Sequence, residues 1–150
     1  MLRMMAFIFI LLVFLGCSHG VTNNNGIIDI GLLQHYSGSR LAPEEEATLI
    51  FNIFMGDINI DGIGIGEMKR LDKTYEWWKC KRSRSVGGCE GKIKIARGKH
   101  TVIVKTEVQS RHVVIATCTG NEFEGGKEYH IEWVGVDFWG VHDNVGCIIK

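Results

Sequence analysis

The stretch Ile58-Asn59-Ile60-Asp61-Gly62-Ile63-Gly64-Ile65-Gly66 decides the fold. Asp-Gly is a preferred pair for a two-residue type I′ hairpin turn, because both central positions need a positive φ. With Asp61-Gly62 at the tip, Ile60 faces Ile63 and Ile58 faces Ile65. Strand alternation then places all four isoleucines on one face, and Asn59 and Gly64 on the other. An apolar face of this kind needs a second sheet to cover it, so the hairpin predicts a β-sandwich. Gly62-x-Gly64-x-Gly66 is no dinucleotide fingerprint, since no helical pattern follows it.

Working outward, strand candidates recur on both sides. Ile27 to Ile30 is a short one. Ala47 to Met55 is β-branched and aromatic throughout. Lys92 to Ala96 alternates lysines out and isoleucines in, and Arg97-Gly98-Lys99 turns the chain into His100 to Val108. Val113 to Cys118 follows. Gly125-Gly126 makes the turn before Glu128 to Val134, and Val145 to Ile149 closes the chain. The lone proline, Pro43, precedes Glu44-Glu45-Glu46, where a brief helical turn fits and the three carboxylates read as a solvated face. With no amphipathic helix and 19 glycines, the expectation is an all-β antiparallel sandwich of about eight short strands.

The N-terminus reads differently. One cation, Arg3, precedes an apolar run from Met4 to Leu15. A membrane-spanning helix needs roughly 20 residues, whereas the apolar region of a secretory signal takes about 7–15. Gly16-Cys17-Ser18 follows directly and resembles the lipobox of bacterial lipoproteins, in which the cysteine is acylated and becomes the mature N-terminus. Leu15 and Phe14 depart from the commoner residues of that motif, so an ordinary cleaved signal or an uncleaved anchor stay open beside it. The expected organisation is a signal peptide at 1–16, a lipidated N-terminus and spacer at 17–46, and a β-domain at 47–150 carrying a basic insertion at 69–91. Lipidation at Cys17 predicts a bacterial cell-envelope protein held to a membrane by its lipid. In a Gram-negative source that means the periplasmic side of the outer membrane, because Ser18 is not the Asp associated with inner-membrane retention.

Beyond the leader, 16 basic side chains stand against 17 acidic ones. That balance gives no reason to expect nucleic acid as a partner. Besides Cys17 there are four cysteines, Cys80, Cys89, Cys118 and Cys147. An even number in an exported chain reads as two disulfides. Four cysteines allow three connectivities. Cys80–Cys89, which closes a short loop, with Cys118–Cys147, which ties the C-terminus to a central strand, is the favoured pair. No CxxC pair supports a metal reading.

Four pieces in order carry a family resemblance. They are the strand Ala47–Phe54, the hairpin Ile58–Gly66, Arg97-Gly98-Lys99-His100-Thr101-Val102, and Phe123-Glu124-Gly125-Gly126-Lys127-Glu128-Tyr129-His130-Ile131. Together they resemble the small bacterial lipoprotein domains of the DUF2846 and PEGA-like type. The resemblance implies an Ig- or transthyretin-like sandwich without an established enzymatic role, and it defines no functional residues to carry over. Arg97 stands where the pattern has proline, and the cysteine-bearing basic insertion lies outside the pattern.

Chemistry is thinly marked. The histidines at 35, 100, 112, 130 and 142 form no local pair at metal-ligand spacing, so a zinc site requires tertiary convergence; they read as surface and core-edge side chains. No G-x-S-x-G occurs, and Glu122, Glu124, Glu128 and Glu132 read as solvent-facing. Neither an enzyme nor a cofactor is expected. The strongest remaining signal is charge: from Lys69 to Lys99 there are eleven Lys/Arg against three acids, whereas from Glu122 to Asp143 six acids face only Lys127. These segments can pair with one another. Alternatively Trp77 and Trp78, set among Lys79, Lys81, Arg82 and Arg84, form a contact surface for an envelope protein or an anionic glycan. The expected function is therefore a non-catalytic binding or structural module. The alternative is an inhibitor or accessory subunit of an envelope enzyme, acting through the Trp-containing loop. Trp133 and Trp139 read as core or core-rim.

Overall fold

A computed structural model describes residues 27–53, 56–72, 88–107, 113–136 and 141–150, the side chains of 107, 136 and 141–145 excepted. The described chain is all-β apart from one short 3-10 turn at Pro43–Glu45. Twelve strands follow in order: β1 Ile27–Gln34, β2 Glu46–Ile53, β3 Asp57–Ile60, β4 Ile63–Gly64, β5 Lys69–Arg70, β6 Gly88–Ala96, β7 Gly98–Lys99, β8 Val102–Glu107, β9 Val113–Thr117, β10 Glu122–Phe123, β11 Glu128–Val136 and β12 Val141–Ile149. They form a six-stranded sheet (β12-β11-β2-β6-β1-β5), a four-stranded sheet (β4-β3-β8-β9) and a two-stranded one (β10-β7).

The hairpin forms in the expected register. Ile60 pairs with Ile63 and Asn59 with Gly64, and Ile65 N–H donates to the Ile58 carbonyl at 2.9 Å. Asp61 and Gly62 take the turn at φ 51° and 88°, as the Asp-Gly pair requires. Ile58 and Ile60 are fully buried and Ile65 nearly so, while Ile63 packs against the same core from its rim. That core is one cluster. It joins Ile58, Ile60, Val102 and Val104 of the four-stranded sheet to Leu49, Phe51, Ile93 and Ile95 of the six-stranded sheet. Full burial of each such side chain contributes about 1.5–3 kcal/mol.

Pairing is not antiparallel throughout, which corrects the sequence expectation. β1 runs parallel to β6, and β11 runs parallel to β2. Each parallel pair joins strands far apart in sequence, with β3 and β4 of the four-stranded sheet lying between β1 and β6 and all four of its strands between β2 and β11. Local alternation reports which face a residue occupies but carries no information about such partners. β1 is also longer than Ile27–Ile30. A register shift between Asp29 and Leu32, with Gly31 at φ 82° and its N–H donating to Asp29 Oδ1 at 2.8 Å, lets the strand bulge and continue to Gln34.

Two further boundaries move. Lys69–Arg70 pairs with β1, as does the Gly88–Glu90 portion of β6, so both ends of the expected basic insertion belong to the sheet. Conversely, His100 and Thr101 fall between β7 and β8 rather than inside one strand. The acidic triplet also divides. Glu44 and Glu45 are exposed, but Glu46 is only 4% exposed. The 3-10 turn delivers it as the first residue of β2, opposite Ala96. There Arg40 donates to both carboxylate oxygens, the Tyr36 hydroxyl donates to Oε2, and Lys94 Nζ stands 3.3 Å from Oε1. Burial by itself would push the Glu46 carboxyl up. The hydrogen bonds from Arg40, Tyr36 and Lys94 together outweigh it and hold the group at about 2.

Gly125 has a packing role that the turn alone does not explain. A Cβ there would overlap the Glu44 carbonyl, so only glycine lets the Gly125-Gly126 turn lie against the turn that presents Glu46. Cys118, just past β9, is disulfide-bonded to Cys147 in β12, as expected. The bond ties the four-stranded sheet to the edge of the six-stranded one. Cys89 is disulfide-bonded as well, and its partner lies outside the described residues. The oppositely charged segments do meet at Lys92 and Glu128, whose charges stand 3.8 Å apart.

Candidate functional site

Three loop ends meet at one end of the shared core. The first is the exit of β1, where His35 N–H donates to the Lys94 carbonyl at 2.9 Å. The second is the tip of the β3–β4 hairpin, which carries Asp61. The third is the connection from β7 to β8, which carries His100. β3 pairs with β8 so that Ile60 faces Val102, and this register brings Asp61 alongside the residues just before Val102. The result is a cluster of His35, Asp61 and His100 in which one ligand-capable atom of each lies within 4.8 Å of the others. Among the described residues it is the one such group of histidine, cysteine, aspartate or glutamate.

Asp61 is held from two sides. Its Oδ1 accepts the Thr101 N–H at 2.8 Å, and its Oδ2 lies 2.5 Å from His100 Nδ1. Burial would raise the Asp61 carboxyl, but the His100 and Thr101 hydrogen bonds hold it below the usual carboxylate range. His100 is fixed by its backbone too: its N–H donates to the Asn121 carbonyl at 3.0 Å, and Asn121 Nδ2 donates back to the His100 carbonyl. The His100 ring packs edge-on against His35 and Phe123, each with centroids 5.7 Å away. Phe123 is nearly fully buried and packs in turn on Tyr129 at 5.0 Å.

The ring nitrogens sort themselves by their partners. His100 Nε2 lies 2.8 Å from the Ala96 carbonyl oxygen, and His35 Nε2 lies 3.0 Å from that of Ile60. A carbonyl only accepts, so each Nε2 carries the hydrogen. Both Nδ1 atoms are thereby left for other partners. That of His100 meets Asp61. That of His35 is buried without a hydrogen-bond partner. Burial lowers the His35 imidazole from its usual range, reinforced by the neighbouring His100 and opposed by the Ile60 carbonyl and Asp61, so its Nδ1 presents a lone pair.

A second concavity lies on the outer face of the six-stranded sheet. It is an open cleft of about 320 Å³ with Asp29, Asn52, Glu90, Lys92 and His130 on its rim. Two acids, Asp29 and Glu90, pair across β1 and β6 there, with Asn52 of β2 on the other side of Glu90.

Of the residues singled out from sequence, Cys17, Trp77, Trp78, Lys79, Cys80, Lys81, Arg82 and Arg84 lie outside the described residues. Glu122, Glu124, Glu128 and Glu132 are exposed. Trp133 packs on the core rim; Trp139 is outside the described residues. Along the sequence His35 and His100 stand isolated, and Asp61 reads only as a turn residue. One signal pointed further: Asn-Gly makes the same turn as Asp-Gly, so the turn by itself does not call for a carboxylate. No protein-family model matches the chain, and no significant match exists among curated proteins or solved structures.

Proposed function

We propose that this chain is an exported, lipid-anchored binding or structural module of the bacterial cell envelope, attached to a membrane through Cys17. The observation that carries the reading is the Cys118–Cys147 disulfide spanning two sheets, set beside a leader whose apolar run ends at Gly16-Cys17. Structural disulfides belong to oxidising compartments, and an exported bacterial chain meets one. Support for the finer fold reading, an Ig- or transthyretin-like sandwich of the DUF2846 and PEGA-like kind, is the single apolar cluster shared by the two larger sheets, with mixed rather than antiparallel strands.

The contact surface in this reading is the basic segment with Trp77 and Trp78. Of its flanks, Asp72 accepts the Leu32 N–H and Gly88 pairs with Ile27, so both described ends sit beside β1. Metabolic labelling with palmitate tests the anchor. The full chain should take up label and fractionate with membranes, and Cys17→Ala should lose both. Absence of label on the wild type, or undiminished label on Cys17→Ala, overturns the proposal.

A further inference from the structure

We infer that His35, Asp61 and His100 form a binding site for one divalent first-row transition ion, with two imidazole nitrogens and one carboxylate oxygen as its protein ligands. Proximity comes first: the three potential ligand atoms lie within 4.8 Å of one another, so small side-chain adjustments bring them around one ion. The hydrogen-bond pattern comes second. Metal-binding histidines usually donate their other ring N–H to a carbonyl or carboxylate, which fixes ring orientation and leaves the opposite nitrogen for the metal. Both histidines here do so, His35 through Nε2 to Ile60 at 3.0 Å and His100 through Nε2 to Ala96 at 2.8 Å. His100 Nδ1 already faces the Asp61 carboxylate at 2.5 Å, and an ion bound between them takes the place of the proton they share. Third, His35 Nδ1 is a buried acceptor without a partner, and such an atom costs free energy until something fills it.

The donor set decides the chemical class. Two imidazoles and a carboxylate suit Zn²⁺, Cu²⁺, Ni²⁺ or Fe²⁺ rather than Ca²⁺ or Mg²⁺, which take mostly oxygen. Three protein ligands leave a further coordination position for water or another donor, and the Asp61 side chain, 39% exposed, keeps that side of the site open to solvent. An ion there would also clamp the fold, since its ligands come from the end of β1, the β3–β4 tip and the β7–β8 connection.

Zn²⁺ titration of the full-length chain in detergent, without an affinity tag and after chelator treatment, tests this. Calorimetry should find one equivalent bound, and Zn²⁺ should raise the thermal midpoint. His35→Ala should weaken binding at least about tenfold and abolish the midpoint shift, with His130→Ala behaving as wild type. If His35→Ala fails to fold, imidazole NMR of the wild type decides: Zn²⁺ must shift the His35 and His100 ring resonances. Lack of one-equivalent binding, binding undiminished in a folded His35→Ala, or unmoved His35 and His100 resonances each overturn the inference.

Discussion

Asp61 shows how one residue serves two levels of structure. Its backbone takes a left-handed conformation that Asp and Asn tolerate better than most residues, and its carboxylate joins two neighbouring segments through Thr101 and His100. Glu46 is the other acid whose environment determines its role. Its carboxyl is held at about 2, below its ordinary value of 4.5, so the folded protein keeps a proton on it less readily than the unfolded chain does. The resulting stability is therefore fully present above about pH 4.5 and lost as pH falls toward 2. A shift of that size in a carboxylate 3% exposed corresponds to about 3 kcal/mol. Urea unfolding of the wild type between pH 7 and pH 2 should lose about that much stability below pH 5. Glu46→Gln should start lower at pH 7 and show a flatter profile across the same window; parallel profiles would contradict the assignment.

At the scale of elements, the Ile58–Gly66 hairpin is the best-determined piece. Its register follows from the turn type and from the need to bury one face, because a slip by one residue would send Ile58 and Ile60 to the surface. Ile60→Asp places an unpaired charge at a position with no solvent exposure and should cost about 4 kcal/mol or more, enough to unfold a marginal domain. Asn59→Asp, on the opposite face, keeps an acceptor for the Gly62 N–H and should shift the denaturation midpoint little. Comparable melting of the two variants would mean the register is wrong. Other elements were less legible. Alternation located β2, β6, β9 and β11 to within a few residues, but missed the bulge that extends β1 and the break at His100 and Thr101. The bulge lies opposite Glu90–Lys92 of β6, with Gly31 N–H on the Asp29 side chain, and at the break His100 N–H goes to the Asn121 carbonyl. Both depend on partners distant in the chain or on a single local side chain.

At the scale of the whole molecule, the Cys118–Cys147 bond closes a loop with a sequence separation of 29 between two sheets. Chain-entropy reasoning puts its contribution at about 3.5 kcal/mol. The double variant Cys118→Ser with Cys147→Ser should lower the unfolding free energy by roughly that amount under oxidising conditions, and an unchanged denaturant midpoint would refute the estimate. By itself, the amino-acid sequence determined the all-β class, the hairpin and its register, the inward rows of isoleucine and valine, and a cysteine pair that does bond. All of these rest on short-range rules, in which turn chemistry and period-two alternation bind a residue to its near neighbours. Only the tertiary structure decided the two parallel pairings, the burial of Glu46, and the meeting of His35, Asp61 and His100. Those features join residues that are distant along the chain, and their geometry comes from sheets closing over a common core, which no local pattern encodes.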